Sequence, residues 1–598
     1  MLGRTRTWTN SAGTGGVHVI GGVEMLVRST RVFVLALVSV LTVSACAPRQ
    51  AQSPPQTAPQ AASQPTAQPK RIVAAIRGDP RTLNDSISST AGGSSVRGVR
   101  EIEMLLNAGL GVMDDRSLVQ PQLAASVPSV ENGQWKLFPD GRMETTHKLR
   151  PNAKWQDGSP FTADDVAFSI TIGQDHELAM NQDDYLKLVE RVDTPDSQTV
   201  VVTWSRPYIA ADALLTKTRV QSLLPIPKHL LAATYGESKE GFIQSPRWGE
   251  QFIGTGPYKL AQWVPGSHLL LDANDQYVLG RPKIDRIEVK FILDTNTMVA
   301  NLLAGALHVT LGGGLTPEQA ILVRSEWREG RVDAGLQNTT VMFPQFMDAN
   351  PAALTDVRMR RALLHAINRQ ELVDVFLSGI VPVADSIWSP EEPEAREIES
   401  SVVKYAYDPR RSTELLEGMS LPKNAEGRYL DQSGKPLAFE LRTRAHALRE
   451  KIQPVVKEAW QHVGLDADVL VVPEQRVSDR AYQATFPGFY FRFMSPDITI
   501  FKSSSIAVPE NNYTGNNPGR YRNPEMDTLI ERYFSTIPKG DRLDVLRRVA
   551  GLITDQLIVL PIYHEPEPVL IQKNLVNAAG RKGESVQTWN VHLWDLTP

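Results

Sequence analysis

A strand, a turn and a capped helix follow one another directly in residues 149–169, and this stretch constrains the fold more than any other. Asp157-Gly158 supplies the turn. Thr162 can cap the helix by accepting hydrogen bonds from its open amides. Val166 and Ile170 lie four residues apart, which gives the helix an apolar stripe to bury. The stretch is typical of a domain that mixes strands with helices.

Further start signals for strands and helices alternate irregularly along the chain. The apolar run 71–76 is typical of a buried strand. Thr316-Pro317-Glu318 and Asn523-Pro524-Glu525 each combine a cap, a first-turn proline and an acid, and Asn368 with Glu371 resembles a capping box. These signals predict an α/β or α+β protein without indicating a ligand.

The charge distribution makes nucleic acid an unlikely class of partner. The chain of 598 residues has a formal net charge of -4. Its first 70 residues hold a surplus of basic groups, so the remainder is more acidic still. An acidic body without a basic run cannot displace the counterions of a phosphate backbone. We therefore expect no nucleic-acid binding.

The single cysteine, Cys46, lies at the end of a secretion signal. Arg28 and Arg31 precede an apolar run over residues 32–43, and small residues lead to Cys46. The run is too short to span a bilayer as a stable anchor. An ordinary signal peptide with a chance cysteine would fit this pattern, but the pattern resembles a bacterial lipobox, in which the cysteine is acylated and becomes the new N-terminus.

The residues around this signal complete the expected N-terminal organisation. Residues 1–46 would be an N-terminal extension plus the lipoprotein signal peptide, with Met25 as the true start. Residues 47–70 are rich in Pro, Gln and Ala and contain no large apolar side chain. Such a segment cannot bury enough surface to offset its ordering entropy, so we expect a disordered tether.

Catalytic and metal-binding motifs are missing from the sequence. It contains no HExxH, GxSxG, GxxxxGK[ST] or CxxC, and its 11 histidines show no metal-ligand spacing. Asp164-Asp165 is explained as a pair of first-turn helix acids. We therefore predict no catalytic residue, no metal and no cofactor. Because many carboxylates are present, a secreted hydrolase stays open as an alternative.

Several segments occur in an order that matches a known family. The stretch 149–169 resembles that family's signature, and Gly254-Thr255-Gly256-Pro257-Tyr258 resembles its most recognisable motif. Further resemblances occur at 121–124, 274–277, 280–285, 356–369, 521–527 and 560–562. The chain resembles the family 5 extracellular solute-binding proteins of ABC importers, which include dipeptide, oligopeptide and nickel binders.

The resemblance implies an α/β fold of the periplasmic-binding-protein type II, in the large family 5 variety, with a ligand cleft between two lobes. Lobe I would comprise residues 71–340, with an extra subdomain at about 116–249. Lobe II would comprise residues 341–560, and residues 561–598 would return to lobe I.

The chain departs from the peptide binders at one position that bears on the ligand. Where those proteins carry an aspartate that holds the peptide ammonium, alignment on Pro496 places Arg492. In strand geometry Tyr490 and Arg492 share one face. One interpretation is that Arg492 pairs with a carboxylate inside lobe II. The other is that Arg492 binds an anionic or polar ligand group, with Tyr490 stacking beside it and Trp388 contributing from across the lobe.

The resemblance also implies a function and a location. We expect a monomeric, non-enzymatic substrate-binding lipoprotein that captures a peptide or other small solute. It would deliver this ligand to ABC permease subunits driven by cytoplasmic ATPases. It would lie on the periplasmic or extracellular face of the cell membrane, held by lipid on Cys46. The alternative is a lipid-anchored secreted hydrolase that acts on a similar ligand.

Replacement of Cys46 by serine tests the anchor. Because Cys46 is the acceptor for the lipid in this interpretation, we expect Cys46→Ser to release the protein from membranes without unfolding it. Membrane fractionation and mass spectrometry of the N-terminus measure the outcome. A variant that still carries lipid and sediments with membranes would contradict the lipobox interpretation.

Overall fold

The structure is a computed structural model that describes residues 68–88, 96–181, 183–218 and 223–597. The predicted signal peptide, Cys46 and the tether as far as residue 67 lie outside the described residues. Residues 68–597 belong to one compact unit. Among the described residues, no helix combines the length and apolarity needed to cross a membrane.

Strands occur along the whole described chain. They are β1 (Arg71–Ile76), β2 (Gly111–Met113), β3 (Val119–Pro121), β4 (Trp135–Leu137), β5 (Met143–Lys148), β6 (Val189–Asp196), β7 (Thr199–Trp204), β8 (Tyr258–Val264), β9 (His268–Ala273), β10 (Arg286–Phe291), β11 (Val309–Thr310), β12 (Gly330–Pro344), β13 (Ala438–Thr443), β14 (Asp466–Val471), β15 (Phe489–Met494), β16 (Leu560–Gln572), β17 (Leu575–Val576) and β18 (Asp595–Leu596).

Helices alternate with these strands. They are α1 (Asp85–Ser88), α2 (Val99–Leu106), α3 (Ala163–Gln174), α4 (Lys228–Glu237), α5 (Lys239–Ile243), α6 (Thr295–Leu303), α7 (Pro317–Glu326), α8 (Val357–His365), α9 (Arg369–Leu377), α10 (Ala395–Ile398), α11 (Pro409–Glu417), α12 (Ala447–His462), α13 (Arg480–Ala484), α14 (Pro524–Ser535) and α15 (Lys539–Asp555).

The predicted helix caps are largely confirmed. Thr316 and Asn523 accept from amides of the first turns of α7 and α14, and Asn368 does the same for α9. The start of α3 differs from the prediction, because the Thr162 hydroxyl donates to the Asp165 carboxylate at 3.3 Å instead of accepting from a helix amide. The Thr162 N–H donates to the same carboxylate oxygen at 2.9 Å. The acid that was expected only to complement the helix dipole therefore also forms part of the cap.

Two long neighbouring strands connect the two lobes of this α/β fold. β12 and β16 pair in antiparallel fashion from Gly330, opposite Gln572, to Met342, opposite Leu560. Register shifts between Leu336 and Asn338, and between Thr340 and Val341, interrupt the ladder. Within the described residues, the main sheet has the order β14-β13-β15-β12-β16-β11-β1-β10-β9-β8. β12 and β16 therefore lie in its middle, with strands of one lobe on each side.

Each side of the crossing strands has its own apolar core. One core combines residues around β1 with Ile571 and Trp594, so the C-terminal segment packs with the N-terminal strands. The other core contains Phe439, Trp460 and Phe489 from the opposite side of the sheet. The lobe boundaries given above stay predictions.

The stretch 149–169 lies in a further cluster beside a small sheet of order β4-β5-β7-β6. Trp155 and Phe161 flank its turn and pack edge to face, with ring centroids 5.6 Å apart. Val166 and Ile170 of α3 are buried in the same cluster, so the predicted apolar stripe is confirmed.

The glycines of the Gly254–Tyr258 motif allow a close backbone approach to the end of α2. The Leu106 carbonyl oxygen accepts from the Gly256 N–H and from Gln156 Nε2, both at 2.9 Å. A β-carbon on Gly254 would lie 2.1 Å from this oxygen. The motif therefore satisfies a carbonyl that a helix end leaves open, and only glycine fits there.

Replacement of Gly254 by alanine tests this close approach. The new methyl would meet a backbone oxygen that cannot rotate away, so we expect Gly254→Ala to lower the free energy of unfolding by about 1–3 kcal/mol. Gly236→Ala is the control, since a β-carbon added at Gly236 in α4 would meet nothing within 4 Å. Denaturant titration of both variants measures the effect. If Gly254→Ala were as stable as Gly236→Ala, the packing argument would be contradicted.

Candidate functional site

The strand that carries the predicted ligand residues lies parallel to β13. In this pairing Leu441 lies opposite Phe489, and Arg442 lies opposite Tyr490. Two residues further along the two strands come Arg444, which directly follows β13, and Arg492, which lies two residues before the end of β15. Ligands of open α/β sheets usually bind at the carboxyl ends of parallel strands. The pairing therefore brings two arginines to a place that favours ligand binding.

A cavity of about 390 Å³ opens beside these strand ends. Its lining contains polar and cationic side chains from β15, α13 and the loop after residue 506. The lining residues are Arg444, Val477, Ser478, Arg480, Gln483, Ala484, Tyr490, Arg492, Ala507, Tyr513, Gly515, Asn516, Asn517 and Pro518. We call this space the arginine cavity. Its volume is in the range of small-molecule sites.

Tyr490 and Arg492 lie together in the arginine cavity, on the shared face that the strand geometry predicts. Tyr490 is buried, and its hydroxyl donates to Gln483 Oε1 at 2.8 Å. The guanidinium carbon of Arg492 lies 5.7 Å from the centroid of the Tyr490 ring. Arg492 Nε donates to the Phe493 carbonyl at 3.3 Å. Tyr490 thus forms a fixed wall beside a cation whose outer nitrogens stay available.

The charge of Arg492 is not balanced by a carboxylate. Burial lowers the pKa of Arg492, and the positive charges of Arg444 and Arg449 lower it further. In the part of the chain that the structure describes, Arg492 forms no ion pair. The interpretation that it pairs with a carboxylate inside lobe II therefore finds no partner, whereas the interpretation that it contacts a ligand stays a proposal.

Trp388 lies in a different cavity from Tyr490 and Arg492. This second space has a volume of about 290 Å³ and is lined by Val383, Asp385, Ser386, Trp388, Pro390, Ala395, Arg396, Glu399, Val402, Lys404 and His564. The chain before Trp388 is held against the crossing strand, because the Ala384 N–H donates to the Ile562 carbonyl. Trp388 therefore lines a different cavity from Arg492, although it belongs to the same apolar cluster as Tyr490.

His564 is a buried, neutral histidine of the crossing strand that borders this second cavity. The Thr339 hydroxyl donates to the Ile387 carbonyl at 3.1 Å. Its oxygen lies 2.9 Å from His564 Nδ1, so Nδ1 carries the proton and donates to Thr339. Burial lowers the pKa of His564 to about 4. These contacts give His564 a structural role in the packing of the crossing strands.

The carboxylates of the crossing strand differ from Arg492 in having partners within the protein. Glu567 lies 3.1 Å from Arg581, and Glu565 Oε1 lies 3.5 Å from Arg449 Nη1. Burial raises the pKa of Glu565, although the charge of Arg449 opposes this effect. The charges of these two carboxylates are therefore largely compensated by arginines within the protein.

Sequence reasoning missed the other polar members of the arginine cavity. Arg444 and Arg480 come from segments before β15, and Asn516 comes from a loop after it. One signal could have indicated Arg444, which follows a predictable strand directly. The pairing of that strand with β15 is a long-range contact, which no local pattern reveals.

The comparisons with known proteins decide the family. The profile of the bacterial extracellular solute-binding proteins, family 5 Middle, matches residues 119–505, which is more than half of the chain. The chain belongs to this family. The resemblance noted from its motifs is therefore confirmed, and so is the two-lobed α/β fold. Members of the family are periplasmic or extracellular solute-binding proteins.

Individual members of the family are distant in sequence but alike along most of their length. The oligopeptide-binding protein AppA of Bacillus subtilis is 25% identical over 515 residues, covering 84% of this chain and 88% of AppA. The nickel-binding periplasmic protein of Escherichia coli is 24% identical, covering 77% and 85% of the two chains. The Thermus thermophilus oligopeptide binding protein, solved with a pentapeptide, has a TM-score of 0.67 at 23% identity, covering 88% and 96%.

The buried His564 predicts a pH dependence of stability. Because its pKa is near 4 in the folded protein and about 6.5 when exposed, the unfolded state binds more protons between these values. Stability is therefore lost as the pH falls below about 6.5. Between pH 7 and pH 5, protonation of this histidine should lower the free energy of unfolding of the wild type by about 2 kcal/mol, and His564→Gln should not show this decrease.

Denaturant titrations at the two pH values measure this difference. Glutamine can still donate to Thr339, so the hydrogen bond is retained. His268→Gln serves as the control, since His268 is only partly buried in β9 and contacts Ser267 at the surface. Identical pH slopes for wild type and His564→Gln would contradict the assignment of a neutral buried imidazole.

Proposed function

We propose that the protein is the substrate-binding lipoprotein of an ABC importer. The observation that carries this proposal is the match of residues 119–505 to the solute-binding family. In this function the protein captures a small solute outside the cytoplasmic membrane and delivers it to permease subunits driven by cytoplasmic ATPases. The relatives named above bind oligopeptides or nickel, so the ligand class is a peptide or another small solute.

The arginine cavity supports a specific place for ligand contact. Tyr490 and Arg492 are anchored on a strand that pairs with β12 and with β13. Such anchoring fixes the position of the side chains before the ligand arrives, which reduces the entropy lost on binding. We therefore propose that these two residues contact the ligand from lobe II. Trp388 is left out of this proposal because it lines the second cavity.

The crossing strands give the proposed receptor a route for conformational change. A ligand that touches both lobes stabilises the arrangement in which the lobes are close, and hinge closure of this kind is common around ligands. The register shifts of β12 against β16 interrupt backbone pairing between the two cores. Bending is easiest there, since fewer hydrogen bonds must be distorted. The closed form would be the one that the permease recognises.

Location, assembly and chemistry complete the proposal. Lipid on Cys46 would hold the protein at the periplasmic or extracellular face of the membrane, and the tether would separate the lobes from it. The protein would act as a monomer and would leave its ligand chemically unchanged. The relatives named above are binding proteins and give no support to the hydrolase alternative. The lobe boundaries at 71–340, 341–560 and 561–598 belong to the same proposal.

Ligand-dependent compaction tests the proposed function. Native mass spectrometry of the purified protein identifies the solute that it retains. We expect the radius of gyration to fall when ligand-free protein is saturated with this solute, because closure brings the lobes together. Small-angle X-ray scattering measures the change. An unrelated solute at the same concentration is the control, and an unchanged radius at saturation would count against hinge closure.

A further inference from the structure

Cations without carboxylate partners are concentrated around the arginine cavity. Arg444, Arg480 and Arg492 all line it, and its described lining contains no aspartate or glutamate. Among the described residues, none of these three arginines forms an ion pair. The Arg444 guanidinium contacts the Val477 carbonyl at 3.4 Å, and Arg492 contacts the Phe493 carbonyl. The cavity therefore has a net positive charge that the protein itself does not compensate.

Two carboxylates close in sequence to cavity residues are paired with arginines that do not line the cavity. Glu440 lies 2.5 Å from Arg442, and Asp479 lies 3.1 Å from Arg476. Asp479 also accepts from the Tyr482 N–H at the start of α13. A small rotation of these acids toward the cavity would break an existing ion pair or a helix cap. Arg442 and Arg476 therefore have carboxylate partners, whereas the three arginines that line the cavity form no ion pair among the described residues.

Arg492 is the one of the three cavity arginines whose positive charge is partly withdrawn from solvent. Arg492 is partly buried, and its pKa is lowered by burial and by the charges of Arg444 and Arg449. Like charges held close together repel one another, and burial weakens their hydration. An anion between them would remove both effects. Guanidinium groups are also well suited to this task, because their planar forks match the oxygens of carboxylates and phosphates.

The rest of the lining fits an anion with a polar body. Asn516 is exposed at the cavity and can donate through its amide. The Tyr490 ring supplies an apolar wall, because its hydroxyl is already bonded to Gln483. The volume of about 390 Å³ admits a solute larger than a single inorganic ion.

We propose that the ligand of this receptor is a polyanionic solute whose carboxylate or phosphate groups bind between Arg444, Arg480 and Arg492 in the arginine cavity. The inference rests on the proposed receptor function and names the chemistry of its ligand. The charge preference of this site would be opposite to that of the peptide binders, in which an acid holds the ammonium group of the peptide. A solute with a positive charge at this place would meet three guanidinium groups and be repelled.

Calorimetric titration with defined probes tests the proposal on the full-length lipoprotein in detergent. The probes are citrate, pyrophosphate and trilysine, each at low ionic strength, where exposed charges act most strongly. We expect citrate or pyrophosphate to bind and trilysine not to bind. Tighter binding of citrate would indicate a carboxylate site, and tighter binding of pyrophosphate would indicate a phosphate site. Loss of one charged hydrogen bond in Arg492→Gln or Arg444→Gln should weaken anion binding about tenfold to a hundredfold.

Arg476→Gln is the matched control, because Arg476 is exposed near the cavity, does not line it and is paired with Asp479. We expect its anion affinity to stay within about twofold of wild type, since a screened surface charge contributes little. Arg444 is exposed, so Arg444→Gln should fold normally, and melting temperatures of all variants verify this. Equal anion binding by wild type, Arg492→Gln and Arg444→Gln would overturn the proposal.

The solute identified by native mass spectrometry separates this inference from the receptor function. If the wild type retains a polyanion and Arg492→Gln does not, both proposals are supported. A neutral or cationic solute that closes the lobes would overturn the polyanion proposal and leave the receptor function intact. A protein that binds neither anion, retains no solute and keeps one radius of gyration would overturn both.

Discussion

The antiparallel pairing of β12 with β16 is the interaction on which the two-lobe architecture depends. Each lobe has its own apolar core, and this strand pair runs from one core to the other. Two hydrogen-bonded strands resist independent bending more than two separate linkers would, so the proposed closure would bend them where the ladder is interrupted. The same pair positions His564 on one side and Glu565 on the other, which places a neutral imidazole and a paired carboxylate at the connection between the lobes.

Charge is distributed unequally around this connection. On the crossing strand, Glu565 and Glu567 face arginines at short distances, and their charges offset one another. At the carboxyl ends of β13 and β15, cations line the arginine cavity without acids. The first arrangement is complete within the protein, because each charge has a partner. The second is complete only when an anion is supplied from outside, which is the property expected of a binding site rather than of a structural ion pair.

The sequence predicts features that short segments determine, and misses those that distant segments create. The caps of α7, α9 and α14 are local, because an Asn or Thr and the amides that it satisfies lie within three residues. The family motifs indicated the fold, and strand geometry indicated the face shared by Tyr490 and Arg492. Arg444 was missed because the pairing of β13 with β15 places it beside Arg492. Trp388 lines another cavity, and the backbone hydrogen bonds that hold its segment against β16 are long-range contacts that the sequence does not reveal.

Arg492 lies in β15, whose backbone is held by two neighbouring strands, β12 and β13. Backbone hydrogen bonds do not depend on the identity of this side chain, so an acid or a base at the position leaves the frame unchanged. A duplicated gene can therefore acquire a preference for solutes of opposite charge through very few codon changes. The backbone scaffold would stay the same while the class of solute that it binds changes.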